Sequence, residues 1–272
     1  MIGRPGRKAM RDDPVALRAP LMLWAFGWYL RWFFWRSFHA VRIARDGMPQ
    51  LRPDRPLIIY SNHPSWWDPA LYILVATMLM PDRAGFGPMD AVALDRYRLF
   101  RRMGAFGIDL AGPRGAARFL SLGQRILANP AHALWITAEG QFTDARSRPI
   151  RLRPGLAHLA RRRPDAVILP LAIEYTFWNE RQPEALLRFG APVQPLGPGA
   201  SAADWTALLE RRLAETMDSL AEAAVSREPA RFRSLLRGRA GVGGIYDVWR
   251  RLAALATLRP VQLAHDPREH DE

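Results

Sequence analysis

Leu57-Ile58-Ile59-Tyr60-Ser61-Asn62-His63-Pro64-Ser65-Trp66-Trp67-Asp68-Pro69 joins an apolar run to a proline-led helix through a turn whose imidazole and carboxylate stand five positions apart. Leu57 to Tyr60 is apolar and partly β-branched, which predicts a buried strand. Pro69 suits the first turn of a helix with Asp68 as its N-cap. His63 then sits in a tight strand-to-helix turn. A carboxylate there can accept the imidazole Nδ1–H, which fixes the tautomer and leaves Nε2 to take a proton from an alcohol, the substrate's own included. Taken alone, the pair has a plainer reading, in which Asp68 caps the helix and His63 satisfies the turn.

Outward from this stretch, Ala70 to Met80 reads as a helix ended by Pro81, Arg83 to Phe86 as a short strand and Asp90 to Met103 as a helix. Ala105 to Leu110 is the next strand. The run Gly112-Pro113-Arg114-Gly115 turns into a helix reaching about Ala128, and Ala133 to Thr137 is a strand that ends at Glu139-Gly140. Such alternation predicts an α/β fold, a mixed sheet with helical cover. Ala202 to about Val225 has helical periodicity with mixed charges.

The chain has 272 residues, 49% of them apolar, enough for one large α/β domain with helical additions. The expected organisation is a basic N-terminus and membrane-associating helix over 1–50, the main domain over 51–228 and a C-terminal basic helical tail over 229–272. A net charge of +13 implies an anionic partner surface, and Lys8 is the only lysine, so nearly all the basicity is arginine. Without cysteine there are no disulfides, thiolate nucleophiles or Cys-ligated zinc. The histidines show no ligand spacing, so no metal site or cofactor is expected. Gly241-x-Gly243-Gly244 lacks the strand context of a phosphate-binding loop.

Between Ala19 and Arg36 the sequence is apolar and rich in tryptophan, with Arg31 breaking it midway. That break disfavours a spanning helix and favours one lying in a membrane interface, where Trp24, Trp28, Tyr29, Trp32 and Trp35 meet the headgroups and flanking arginines meet an anionic cytoplasmic leaflet. A helix packed on the domain's own core is the other reading of this segment.

Asn62-His63-Pro64-Ser65-Trp66-Trp67-Asp68 closely resembles the H-x-x-x-x-D box of the glycerol-phosphate and lysophospholipid acyltransferases. Three further stretches resemble that family in order and spacing. Glu139-Gly140 matches its F-P-E-G-[ST]-R box, with Ala138 in place of Pro and Phe142 in place of Arg. Arg153-Pro154-Gly155-Leu156-Ala157 resembles the run after that box, and Val167 to Leu171 resembles a strand that ends at a Pro and lines the acyl-donor site. The resemblance implies a glycerol-phosphate acyltransferase-like fold in which His63 is the general base, Asp68 orients it, and Glu139 and Gly140 help organise the acceptor pocket. It implies acyl-CoA or acyl-carrier protein as donor and substrate, a membrane lipid hydroxyl as acceptor, and a place on the cytoplasmic face of the inner membrane.

In phosphate-using members an Arg follows the acidic residue of the second box, and another follows the Glu-Gly pair. Here those places hold Leu110, after Asp109, and Phe142. The resemblance therefore implies either an acceptor that depends less on phosphate, such as a larger-headgroup lysophospholipid or a glycolipid, or relocation of the cation to Arg114, Arg146 or Arg148. A non-catalytic lipid-binding relative is a further reading. A nucleic-acid partner is not expected, because the aromatics cluster in one apolar run instead of alternating with arginines. Neither Ser61 nor Ser65 sits in a G-x-S-x-G elbow, which disfavours a serine hydrolase.

Overall fold

The structure, a computed structural model, describes residues 13–49, 51–109 and 112–239. Leu57–Ser61 (β2) is buried along its whole length. Its side chains alternate between two cores: Ile58 and Tyr60 face one, Leu57 and Ile59 the other. A strand covered on both sides has no solvent face to mark with polar residues, so it reads as a continuous apolar run. His132–Thr137 (β5) behaves likewise, with Leu134 and Ile136 on one side and Ala133 and Trp135 on the other.

Among the described residues, eight strands form one mixed sheet. Besides β2 and β5 they are Ala40–Ala44 (β1), Ala84–Asp90 (β3), Ala105–Ile108 (β4), Val167–Thr176 (β6), Glu184–Phe189 (β7) and Phe232–Arg237 (β8), in the order β4-β3-β5-β2-β6-β7-β1-β8. From β4 to β6 all neighbours are parallel; β7 then runs antiparallel to β6 and parallel to β1, and β8 closes the far edge antiparallel to β1. The expected mixed α/β sheet with helical cover is therefore observed.

Helices cover both faces. Pro14–Leu17 (α1) precedes the tryptophan-rich helix Pro20–Ser37 (α2), which packs on Asp68–Leu79 (α3) over one core. Pro113–Ile126 (α6), Gly155–Arg162 (α7) and Ala202–Ser226 (α8) cover the other. At the start of α6 the backbone presses against Asp109 so closely that a Cβ on Gly115 would lie 1.7 Å from the Asp109 carbonyl oxygen. Only glycine fits such an approach.

Several expectations need correction. The helix foreseen over Asp90 to Met103 is two short helices, Ala91–Arg96 (α4) and Leu99–Arg102 (α5). The strand expected to stop at Pro170 continues to Thr176, because Pro170 stands where β6 changes partners: pairing to β2 ends at Leu171, and pairing to β7 begins there. The boundaries expected at 50 and 228 cut through the sheet, since β1 precedes one and β8 follows the other. Arg42 explains the concealment of β1. Its guanidinium is buried but held by Glu184, with Nε 2.9 Å from Oε2, so a charged residue occupies a core strand. In the region taken as helical tail, Phe232–Arg237 is a strand, and the tail beyond Arg239 lies outside the described residues.

Candidate active site

Parallel pairing brings the chemistry together. Ser61 is in register with Thr137 on one side and with Leu171 on the other, so β2 and β5 end together at the carboxyl edge of the parallel strands, beside Leu171 of the longer β6. His63 leaves β2 two residues past that register, and Glu139 leaves β5 two residues past it. Sites in open α/β sheets gather at such carboxyl ends.

Asn62 turns the chain. It is fully buried, and its side chain replaces a missing strand partner: Nδ2 donates to the Ile173 carbonyl and Oδ1 accepts the Ile173 N–H, each at 2.9 Å. After the turn, Asp68 is the first residue of α3. It does not cap that helix, as its carboxylate points back into the turn. Oδ2 accepts from His63 Nδ1 at 2.6 Å and from the Ser65 N–H at 3.2 Å, and Oδ1 accepts the Tyr175 hydroxyl at 2.7 Å. Asp68 is fully buried while His63 remains partly open. The helix-cap reading of Asp68 thus fails, and the imidazole–carboxylate reading has the geometry it needs.

Glu139 Oε2 accepts the backbone N–H of His63 at 3.0 Å, and the Thr143 N–H donates to the His63 carbonyl at 3.0 Å. The β5 loop therefore clamps the histidine backbone from both sides. Burial raises the Glu139 carboxyl above its ordinary range, opposed by the His63 N–H. Gly140 has φ +68°, and a Cβ there would come within 2.9 Å of Arg153 Nε, so glycine serves both the left-handed turn and the close approach of that side chain. Trp67 points the other way and is caged by Phe33, Phe34 and Phe38, at centroid distances of 5.0, 5.4 and 4.9 Å.

Residues 42–174 match the Acyltransferase family model. Over these residues the chain carries an acyltransferase domain. Among solved structures, the 1-acyl-sn-glycerophosphate (LPA) acyltransferase PlsC from Thermotoga maritima is similar at a TM-score of 0.47 and 16% identity, covering 84% of this chain and 85% of that one. No curated protein matches.

At the rim of this acyltransferase site, Phe142 lies against His63 with ring centroids 4.4 Å apart and planes inclined by 38°, although 63% of it is exposed. Arg146 is committed to Asp144 through two hydrogen bonds of 2.9 and 2.8 Å, and holds that carboxyl well below its usual range. Arg148 pairs with Asp218 and donates to the carbonyls of Ala145 and Ser147. Arg114 is exposed on the first turn of α6, and among the described residues no hydrogen bond or ion pair joins it to the His63 turn. The structure thus brings His63, Asp68, Glu139 and Gly140 together, and leaves Arg114, Arg146 and Arg148 facing elsewhere or already paired. Leu110 lies outside the described residues. Two residues escaped the sequence reading. Tyr175 carries no motif that announces it. Arg153, drawn in by its N–H donating to the Ala138 carbonyl at 2.9 Å, had a signal in its place before Pro154-Gly155.

Proposed function

We propose that this acyltransferase moves a fatty acyl group from a thioester, acyl-CoA or acyl-carrier protein, to a hydroxyl of a lysophospholipid or related lipid, with His63 as general base. The observation that carries this reading is the 2.6 Å contact between His63 Nδ1 and the buried Asp68 carboxylate. With Nδ1–H held by Asp68, Nε2 takes the acceptor's hydroxyl proton as that oxygen attacks the thioester carbonyl. The tetrahedral intermediate collapses, the C–S bond breaks, and the departing thiolate recovers the proton from His63. Ester and free thiol leave, and no covalent bond to the enzyme forms. His63→Ala should lower acyl transfer to a lysophospholipid panel by about 10²–10⁴-fold with an unchanged thermal melt. Near-normal turnover in that variant would refute the mechanism.

The reading extends to membrane association at the cytoplasmic face of the inner membrane. Among the described residues, no helix is long and apolar enough to cross a bilayer. On α2, Gly27, Leu30 and Phe34 are buried, whereas Trp24, Trp28 and Trp32 are 63%, 56% and 53% exposed along the opposite side. An exposed stripe of amphipathic rings, with Arg31 over Trp28 at 5.2 Å, suits an anionic headgroup layer. Replacing Trp24, Trp28 and Trp32 together by Ser should reduce sedimentation with anionic vesicles at least about tenfold, roughly 1.4 kcal/mol. Unchanged sedimentation would remove this face from the account.

A further inference from the structure

We propose that Tyr175 is a positioning residue of the transfer reaction: by holding Asp68 Oδ1, its hydroxyl sets the plane and the charge that Asp68 presents to His63. The proposal rests on His63 being the base. Asp68 is fully buried, so each of its oxygens needs a donor. Oδ2 has two, from His63 and Ser65 within the same turn, but both reach one oxygen and leave the carboxylate able to pivot about it. Among the described residues, the Tyr175 hydroxyl at 2.7 Å is the donor to Oδ1. Holding both oxygens from different directions fixes the carboxylate plane, and with it the line along which Nδ1–H points.

The placement of Tyr175 is built in. Ile173, two residues earlier on β6, is clasped at both backbone groups by Asn62, so the strand is locked to the turn that carries His63. The Tyr175 ring lies 5.8 Å from that of Phe38, which packs edge-on against Trp67, so its rotamer is set by the same aromatic cage that seats the turn. Burial and the Asp68 charge raise the Tyr175 phenol well above its ordinary range. It therefore remains a donor at every pH where an imidazole titrates. The other titratable groups near Asp68 are His63 itself, Tyr72 on α3, whose phenol is raised by burial and by that charge, and Glu139 across the turn.

A hydrogen bond from Tyr175 draws negative charge towards Oδ1. Removing it returns that charge to the side facing His63, favours the imidazolium and moves the acidic limb of the rate profile to higher pH. Tyr175→Phe, which keeps the ring in its cage, should lower kcat roughly tenfold or more with KM unchanged, and should raise the His63 titration midpoint read by NMR. In an Asp68→Ala background the same substitution should cost nothing further. A packing defect would persist in that background, and the NMR titration reads the coupling even in variants too slow to assay. Wild-type kcat with an unshifted His63 midpoint, or an equal loss with and without Asp68, would overturn the proposal. Full activity in His63→Ala would instead overturn the base assignment on which it rests.

Discussion

The centre and the rim of the site are built on opposite principles. At the centre, Asn62, His63, Asp68, Glu139 and Tyr175 are tied to one another and to β6 by hydrogen bonds of 2.6–3.0 Å, and Asn62 and Asp68 are wholly buried. At the rim, Phe142 is largely exposed and Arg146 is engaged with an exposed neighbour, Asp144. Buried polar groups tolerate one arrangement, because each loss of a partner leaves an unsatisfied donor or acceptor without water to replace it. Exposed groups exchange partners with solvent at little cost. On the proposed reading, the fixed centre holds the proton-transfer geometry and the adaptable rim meets the acceptor.

Asn62→Ala tests the centre most severely after His63 itself. It removes both partners of the Ile173 backbone in a site with no solvent, and unsatisfied buried groups cost about 1–3 kcal/mol each. We expect a stability loss of roughly 2–4 kcal/mol and a melting temperature lower by about 10 °C, with activity falling as β6 and Tyr175 loosen. A variant that melts within a degree or two of wild type would mean the centre is not rigid in the sense argued, and the contrast with the rim would lapse.

What was legible in the sequence follows the same division by range. The His63 turn was readable because its imidazole, carboxylate and flanking elements lie within a dozen residues, and Leu57 to Tyr60 could be recognised as a buried strand from apolarity alone. The place of Glu139 at a strand's end was legible, but its hold on the His63 N–H across 76 positions was not. Tyr175 was invisible, since one tyrosine 107 positions from Asp68 leaves no spacing to detect. Of the two readings of the tryptophan-rich helix, packing on the core holds for Leu30 and Phe34, while Trp24, Trp28 and Trp32 face outward and leave the interfacial reading to the vesicle test. The strands at 40–44 and 232–237 were missed because Arg42, Arg233 and Arg237 interrupt their apolar patterns; at Arg42 it is tertiary pairing with Glu184 that admits a charge to the core.

Phe142→Arg probes the rim, with a smaller expected effect. The side chain is exposed, so the substitution should leave stability within about 0.5 kcal/mol of wild type. It places a guanidinium beside His63, at the position where phosphate-using relatives carry one. A charge-assisted bond to phosphate is worth about 1.5–3 kcal/mol when desolvated and less at an open rim. We therefore expect the kcat/KM for lysophosphatidate, relative to a lysophospholipid with a larger headgroup or a glycolipid, to rise about tenfold in the variant. Wild-type enzyme should favour the less phosphate-dependent acceptors, since an aromatic ring against the imidazole offers them apolar contact and no competing charge. Arg153, lying against Gly140, supplies the control. If wild-type enzyme already selects lysophosphatidate and loses it on Arg153→Ala, while Phe142→Arg leaves the acceptor ratio unchanged, then the cation is relocated to Arg153 and Phe142 does not decide the acceptor.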